Sequence, residues 1–250
     1  RYLKELVNEI DSSNPVVLMA GGLGKRLRPY TDKRPKPMLE VGGKPMLENI
    51  INNFSSHGFK NFIVTVNYRH DLIEDHFGDG SQLGVSIDYI RENKKLGTAG
   101  SLSLLVDRLS KPFFVMNADL LTDLNFRQLL SFHKDHDAMA TMCVQQHAVK
   151  IPFGVIDLDG HQISKIEEKP EKSFYVNAGI YVLEPEVLSF IKADTYLDMP
   201  ALFQLLKSNN KSTIAFAIRE NWMDVGSPED IMRARELFST RTPVPDSSLI

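Results

Sequence analysis

Six cations, Lys25, Arg26, Arg28, Lys33, Arg34 and Lys36, stand within a short segment whose lone anion is Asp32. Gly21, Gly22 and Gly24 immediately precede them. Glycines let backbone N–H groups come close to a phosphate, and concentrated positive charge neutralises a polyphosphate. Pro29, Pro35 and Pro37 keep the segment irregular, so the cations do not fall on one helix face. Two common phosphate loops fail here. A P-loop would need Ser or Thr after Gly24-Lys25, and Arg26 stands there. A dinucleotide fingerprint would need a glycine where Leu27 stands. The plain alternative is a solvated basic loop, but the glycines and their position after an apolar run favour phosphate binding.

Such a loop must be held by a scaffold, and the first half of the chain supplies one. "VVLMA" from Val16 reads as a buried strand ended by glycines. Residues 45–58 read as a helix with Pro at its first turn and Gly beyond its end. Strands at 61–67, 85–90 and 112–119 then alternate with helices at 69–78, 98–109 and 125–136. Alternation of this kind predicts an α/β fold: a Rossmann-like, mixed but mostly parallel sheet flanked by helices. The glycine loop and the "NAD" at Asn117–Asp119 both follow strands, where open α/β sheets bind ligands. The second half is richer in strands, at 138–145, 153–170 and 174–183, with Asp159–Gly160 marking a hairpin. Helices return at 185–192, 198–209 and 227–238.

The chain has 250 residues, 42% hydrophobic and 24% charged, with a net charge of −3. That balance argues against nucleic-acid binding, and no apolar run is long enough to span a membrane. The single cysteine, Cys143, excludes an intramolecular disulfide and a cysteine-based zinc site, and suggests a cytoplasmic home. Three segments are expected. Residues 1–14 form a leader helix of the kind that joins an upstream domain, 15–239 form one catalytic domain, and 240–250 form a flexible tail. A homo-oligomer is compatible with this composition.

The motifs together resemble the sugar-phosphate nucleotidyltransferases, or nucleotide-sugar pyrophosphorylases. "GGLGKRLRPYT", "PKPML" and "GKPML" stand in that family's order and spacing, followed by "LGTAGSL", "NAD", "IEEKP", "VNAGIYVL" and "WMDVGSPED". The likeness covers about 16–239 and leans to the guanylyl-transferring branch, such as mannose 1-phosphate guanylyltransferases. It implies attack of a sugar 1-phosphate on the α-phosphorus of a nucleoside triphosphate, with pyrophosphate leaving. GTP is favoured, with a mannose or glucosamine 1-phosphate as partner and Mg²⁺ as cofactor. By resemblance, Arg26, Lys36 and Asp119 are catalytic, and Asp119 and Asp224 hold the metal. Ala20, Gly21, Gly22, Gly24, Gly97, Thr98 and Gly100 bind the nucleotide. Gly154, Glu168, Lys169 and Asn177 bind the sugar phosphate. Ala118 stands where the family often has glycine.

Other classes compete. Uridylyl or thymidylyl transfer to glucose 1-phosphate is one alternative. A glycosyltransferase of related fold would need D-x-D at the metal strand, where this chain has Asn117. A catalytically dead nucleotide-sugar sensor would be expected to lack Arg26, Lys36 or Asp119, and all three are present. His133 and His136 have the spacing of a metal pair, but a solvated helix face is the simpler expectation. Asp157 and Asp159 fit a hairpin turn better than a D-x-D metal site. Cys143 reads as core, and Trp222 as core or as a shield for the site.

Overall fold

The computed structural model describes residues 12–22 and 24–239. The leader helix and the tail therefore lie outside the described residues, apart from Ser12–Asn14. There, Asn14 is buried and donates from Nδ2 to Pro112 O at 2.6 Å.

Strand β1 (Val16–Met19) leads through the glycine loop and two single 3-10 turns, Lys25–Leu27 and Lys36–Met38. The ribbon β2 (Glu40–Val41) and β3 (Lys44–Pro45) follows, then α1 (Met46–Ser56), β4 (Asn61–Val66), α2 (His70–Phe77) and β5 (Ser86–Arg91). Next come α3 (Gly97–Gly100), β6 (Phe113–Asn117), β7 (Leu120–Thr122) and α4 (Phe126–Asp135). The second half contains β8 (Ala140–Lys150), β9 (Val155–Asp159), β10 (Gln162–Glu167) and β11 (Glu171–Leu183). It closes with α5 (Met199–Ser208), β12 (Thr213–Ile218), β13 (Trp222–Asp224) and α6 (Pro228–Ser239).

The main sheet runs in the order β12-β8-β11-β6-β1-β4-β5. The pairs of β1 with β4 and β6, of β4 with β5, and of β8 with β12 are parallel. Only β11 runs against its neighbours, β6 and β8. Both faces are covered, and alternation along each strand shows why. Val16 and Leu18 face one core with Phe54, Phe114 and Phe126, while Val17 faces a second with Val115, Leu102 and Leu202. A third, smaller core sets the site. Leu27, Leu39, Val41 and Met46 pack with Leu121, Val225 and Ile231 beneath the cationic segment. Burying Leu27 in this way contributes on the order of 2 kcal/mol and fixes the turn that carries Lys25 and Arg26.

The structure departs from the sequence reading at several points. Residues 98–109 do not make one helix: α3 is a single turn, continued by a 3-10 turn at Ser101–Leu105. Ser101 and Ser103 hydroxyls donate back to Gly97 O and Gly100 O, competing with the helical ladder. The segment after β11 is likewise a 3-10 turn, Pro185–Phe190. The strands β7, β12 and β13 were not anticipated, and β7 and β13 are too short to show a period. The Asp159–Gly160 hairpin joins β9 to β10 as expected, and Cys143 is buried.

His133 is neither solvated nor a metal ligand. It continues the buried stripe Phe126, Leu129 and Leu130 of α4 and is 0% exposed. A neutral ring satisfies both neighbours: Thr141 Oγ1 donates to Nδ1 at 2.7 Å, and Nε2 donates to Glu184 Oε1 at 3.1 Å. Burial pushes the His133 pKa from 6.5 down to about 4. Its contribution to stability is therefore full above pH 6.5 and is lost as pH falls toward 4. Burial raises the Glu184 pKa, an opposing effect that is present at low pH and lost as pH rises through the raised value. The melting temperature should fall between pH 7 and pH 4.5, and His133→Gln should melt lower at pH 7 with a flatter pH profile. Parallel profiles for the two proteins would contradict this role for His133.

Candidate active site

The site lies at the C-terminal ends of β1, β4, β5 and β6. Gly24 adopts φ +58°, and a Cβ there would meet Thr31 Cγ2 at 2.9 Å and Lys36 Cβ at 3.2 Å. Glycine thus lets the loop fold back so that Lys36 reaches inward. Thr31 Oγ1 locks this turn by donating to Gly24 O at 2.8 Å. Lys36 is nearly buried, and its Nζ donates to Asp119 Oδ2 at 2.5 Å and stands 3.8 Å from Asp224 Oδ1. Asp119 follows β6, and Asp224 ends β13, which pairs with β7. The Val225 N–H donates to Asp119 O at 3.1 Å, tying the two carboxylate-bearing segments together.

Arg26 extends from its 3-10 turn into the same space. It is exposed and forms no ion pair among the described residues. Burial raises the Asp224 pKa and the Asp119 charge adds to it, while Lys36 and Arg26 work against them.

Two adjoining cavities, about 650 Å³ and 420 Å³, share Gly21, Gly22, Arg26, Glu92 and Asp119 in their walls. Gly24 and Lys36 line the larger, and Gly97 and Thr98 the smaller. A Cβ on Gly21 would meet Glu92 Oε1 at 2.9 Å, so this glycine leaves room for a carboxylate. Ala20 is buried, with its N–H held by Thr65 O at 2.9 Å.

Gly97 and Gly100 have a packing role. Gly97 has φ +80°, and a Cβ on it would lie 2.5 Å from Leu197 O. A Cβ on Gly100 would lie 2.5 Å from Thr195 O, and Gly100 lines neither cavity. Asp198 clamps this turn: its Oδ1 accepts from Thr98 N at 3.1 Å, and its Oδ2 from the Tyr196 hydroxyl at 2.6 Å.

The residues expected at the sugar phosphate are not gathered at these cavities. Gly154 and Glu168 are neighbours, since a Cβ on Gly154 would meet Glu168 Oε2 at 3.0 Å. Lys169 Nζ lies 3.8 Å from Glu168 Oε1, and both side chains are exposed. They belong to the arm built from the outer parts of β8 and β11 and the β9–β10 hairpin. Asn177 is occupied internally. Its Nδ2 donates to Tyr181 Oη at 2.7 Å, and its Oδ1 accepts from Gly179 N at 2.9 Å.

Sequence reasoning did not single out Glu92, Asp198 or Tyr196. Glu92 directly follows β5, so the strand-end rule could have found it. Asp198 and Tyr196 lie in a loop that carries no motif. Trp222 donates from Nε1 to Ala178 O at 2.8 Å, a structural tie between β13 and β11.

Residues 15–241 match the family described as nucleotidyl transferase. The chain belongs to this family. A mannose-1-phosphate guanyltransferase of Yarrowia lipolytica is 35% identical over 232 residues, covering 89% of this chain and 63% of that protein. The Saccharomyces cerevisiae mannose-1-phosphate guanyltransferase is 34% identical over 232 residues, covering 89% of this chain and 64% of that protein. This nucleotidyl transferase chain thus spans somewhat under two thirds of the curated relatives it matches. Among solved structures, a Bacillus anthracis protein assigned as a glucose-1-phosphate thymidylyltransferase, in complex with sucrose, is similar at a TM-score of 0.75 and 26% identity. That match covers 92% of this chain and 97% of the other. HddC from Yersinia pseudotuberculosis, complexed with GMP-PN, is similar at a TM-score of 0.71 and 26% identity, covering 90% and 99%. No helix among the described residues is long and apolar enough to cross a membrane.

Proposed function

We propose that the chain transfers a nucleotidyl group from GTP to a hexose 1-phosphate of the mannose or glucosamine type, giving a nucleoside-diphosphate sugar and pyrophosphate. The observation that carries this reading is the cluster of Lys36, Asp119 and Asp224 beside the uncommitted Arg26, at the mouth of a cavity large enough for a nucleotide. A phosphate oxygen of the sugar 1-phosphate forms the new bond to the α-phosphorus. The bond to the bridging β-phosphate oxygen breaks, and pyrophosphate leaves with that electron pair. No proton need be taken from the nucleophile, so the protein's work is positioning and charge neutralisation.

Arg26 would take the departing pyrophosphate with its planar fork, and Lys36 would bridge the reacting phosphates. Glycines 21, 22 and 24 would admit the nucleotide backbone. Glu92 offers a second kind of selectivity. A carboxylate held among Gly21, Thr65 and Leu96 can accept two N–H donors from one base edge, which guanine presents. The names of the yeast relatives and the GMP-PN complex of HddC agree with that base. On the arm, Gly154, Glu168 and Lys169 would meet the sugar and its phosphate.

The donor set fits Mg²⁺. Asp119 Oδ1 is buried without a partner among the described residues, and burial and a second carboxylate raise the Asp224 pKa, so both groups gain from a hard divalent cation. Asp119 and Asp224 would hold it together with substrate phosphates, and once bound it supplies charge neutralisation on those phosphates. The lone buried cysteine fits a reducing, cytoplasmic setting.

Four nucleoside triphosphates assayed against mannose, glucosamine and glucose 1-phosphates for pyrophosphate release test the reading. GTP with mannose or glucosamine 1-phosphate should turn over fastest. A preference for UTP or dTTP with glucose 1-phosphate would move the chain to the alternative branch. Silence with every pair would refute nucleotidyl transfer.

A further inference from the structure

Asn117 ends β6, two residues before Asp119, and lines the smaller cavity. Its Oδ1 is buried and has no hydrogen-bond partner among the described residues. Its Nδ2 lies against Gly179, where a Cβ would come within 2.8 Å, so the glycine at φ +70° makes room for the amide. A buried acceptor without a donor is uncommon in a folded protein, because nothing repays its lost hydration. The nearby amide of Asn177 has no such vacancy, since both of its ends are taken within β11.

The cavity fixes what the missing donor is. Its lining includes Thr65 and Glu92, and Glu92 takes the base in the proposed function. It also includes Arg26, which takes the pyrophosphate there, and Asp119, which holds the metal on the phosphates. Asn117 lines the same cavity as both sets, and no residue of the sugar arm lines it. Between the base and the phosphates of a nucleotide lies the ribose, whose hydroxyls are donors.

We infer that Asn117 Oδ1 accepts a hydrogen bond from a ribose hydroxyl and makes the site select ribonucleotides over deoxyribonucleotides. The inference rests on the proposed nucleotide site and concerns a specificity the motifs do not carry. A site built to bind a hydroxyl rejects the analogue lacking it, because the buried acceptor is then left unpaired.

Calorimetric titration in Mg²⁺ with the triphosphate bound most tightly, and with its 2′-deoxy and 3′-deoxy forms, tests it. Binding is read directly, so the result stands whether or not pyrophosphate is released. The parent should bind the ribonucleotide about tenfold or more tightly than one of the deoxy forms. Asn117→Ala should bring that ratio close to one. Asn117→Asp, which keeps an acceptor oxygen, should retain it, and a general change in metal affinity cancels in the ratio. A parent that binds ribo and both deoxy forms equally would overturn the inference without any variant. So would a folded Asn117→Ala protein that keeps the parent's preference.

Discussion

Arg26→Ala is expected to lower kcat for pyrophosphate release by about 10²–10³-fold while leaving the melting temperature nearly unchanged. Both halves of that expectation follow from how the residue is mounted. Leu27 is buried in the third core and fixes the turn, so the backbone does not depend on the Arg26 side chain. The guanidinium is exposed and has no ion-pair partner among the described residues, so truncation strands no buried charge. It lines both cavities, where in the proposed reaction charge would build on the leaving pyrophosphate more strongly in the transition state than in the ground state. Arg26→Lys keeps the charge and loses the fork, and should fall between the parent and the alanine variant. Steady-state kinetics separate the outcomes. An unchanged kcat with a raised KM for the triphosphate would mean that Arg26 binds ground and transition states equally. Parental values for both constants would remove it from the machinery.

Asp119→Ala should be at least as damaging, with turnover falling on the order of a thousandfold. Asp119 has two tasks that its two oxygens divide. Oδ2 accepts from Lys36 at 2.5 Å, and Oδ1 is buried with no partner among the described residues. Removal leaves Lys36 only the weaker approach to Asp224 at 3.8 Å, so the lysine loses its fixed position as well. Asp224 alone would be a weaker cation site, because one of the two hard anionic ligands is gone. The thermal stabilisation that Mg²⁺ and nucleotide together give the parent should therefore shrink in the variant. Differential scanning fluorimetry reads that shift, and pyrophosphate release reads turnover. Near-parental turnover would sink the assignment.

The first half of the fold was legible because its signals are local. Buried strands alternate with helices bounded by Pro45, Gly58 and the Asn125 cap, and the cationic loop is contiguous in sequence. Asp119 and Lys36 stood out by motif, and the structure brings them into contact. The illegible parts depend on distant partners. Gly97 and Gly100 look like nucleotide-loop glycines, yet the atoms that forbid a side chain there belong to residues 195–197. Glu92 has no motif of its own, and only the close approach of Gly21 reveals its place. His133 carries the spacing of an exposed pair with His136, but the period that governs it is that of the buried stripe. The strands β7 and β13 hold the two carboxylates in register and are too short to announce themselves. The arm bearing Gly154, Glu168 and Lys169 is the reverse case, with clear motifs whose residues stand apart from the two cavities.

Lys36 meets Asp119, Thr98 meets Asp198, and Thr122 meets Asn221, contacts that join residues 83, 100 and 99 positions apart. The proposed nucleotide site is thus completed by chain made long after the glycine loop. A nascent chain that ends short of Asp119 carries the glycine loop and its cations without Asp119, Asp224 or the loop at Asp198 that organise them. Contacts of such long sequence separation form slowly, because loop closure must precede their gain. Nucleotide affinity should therefore appear late in folding, as the last helices dock. During synthesis, the exposed positive segment would spend its time free of the anions it is shaped to hold.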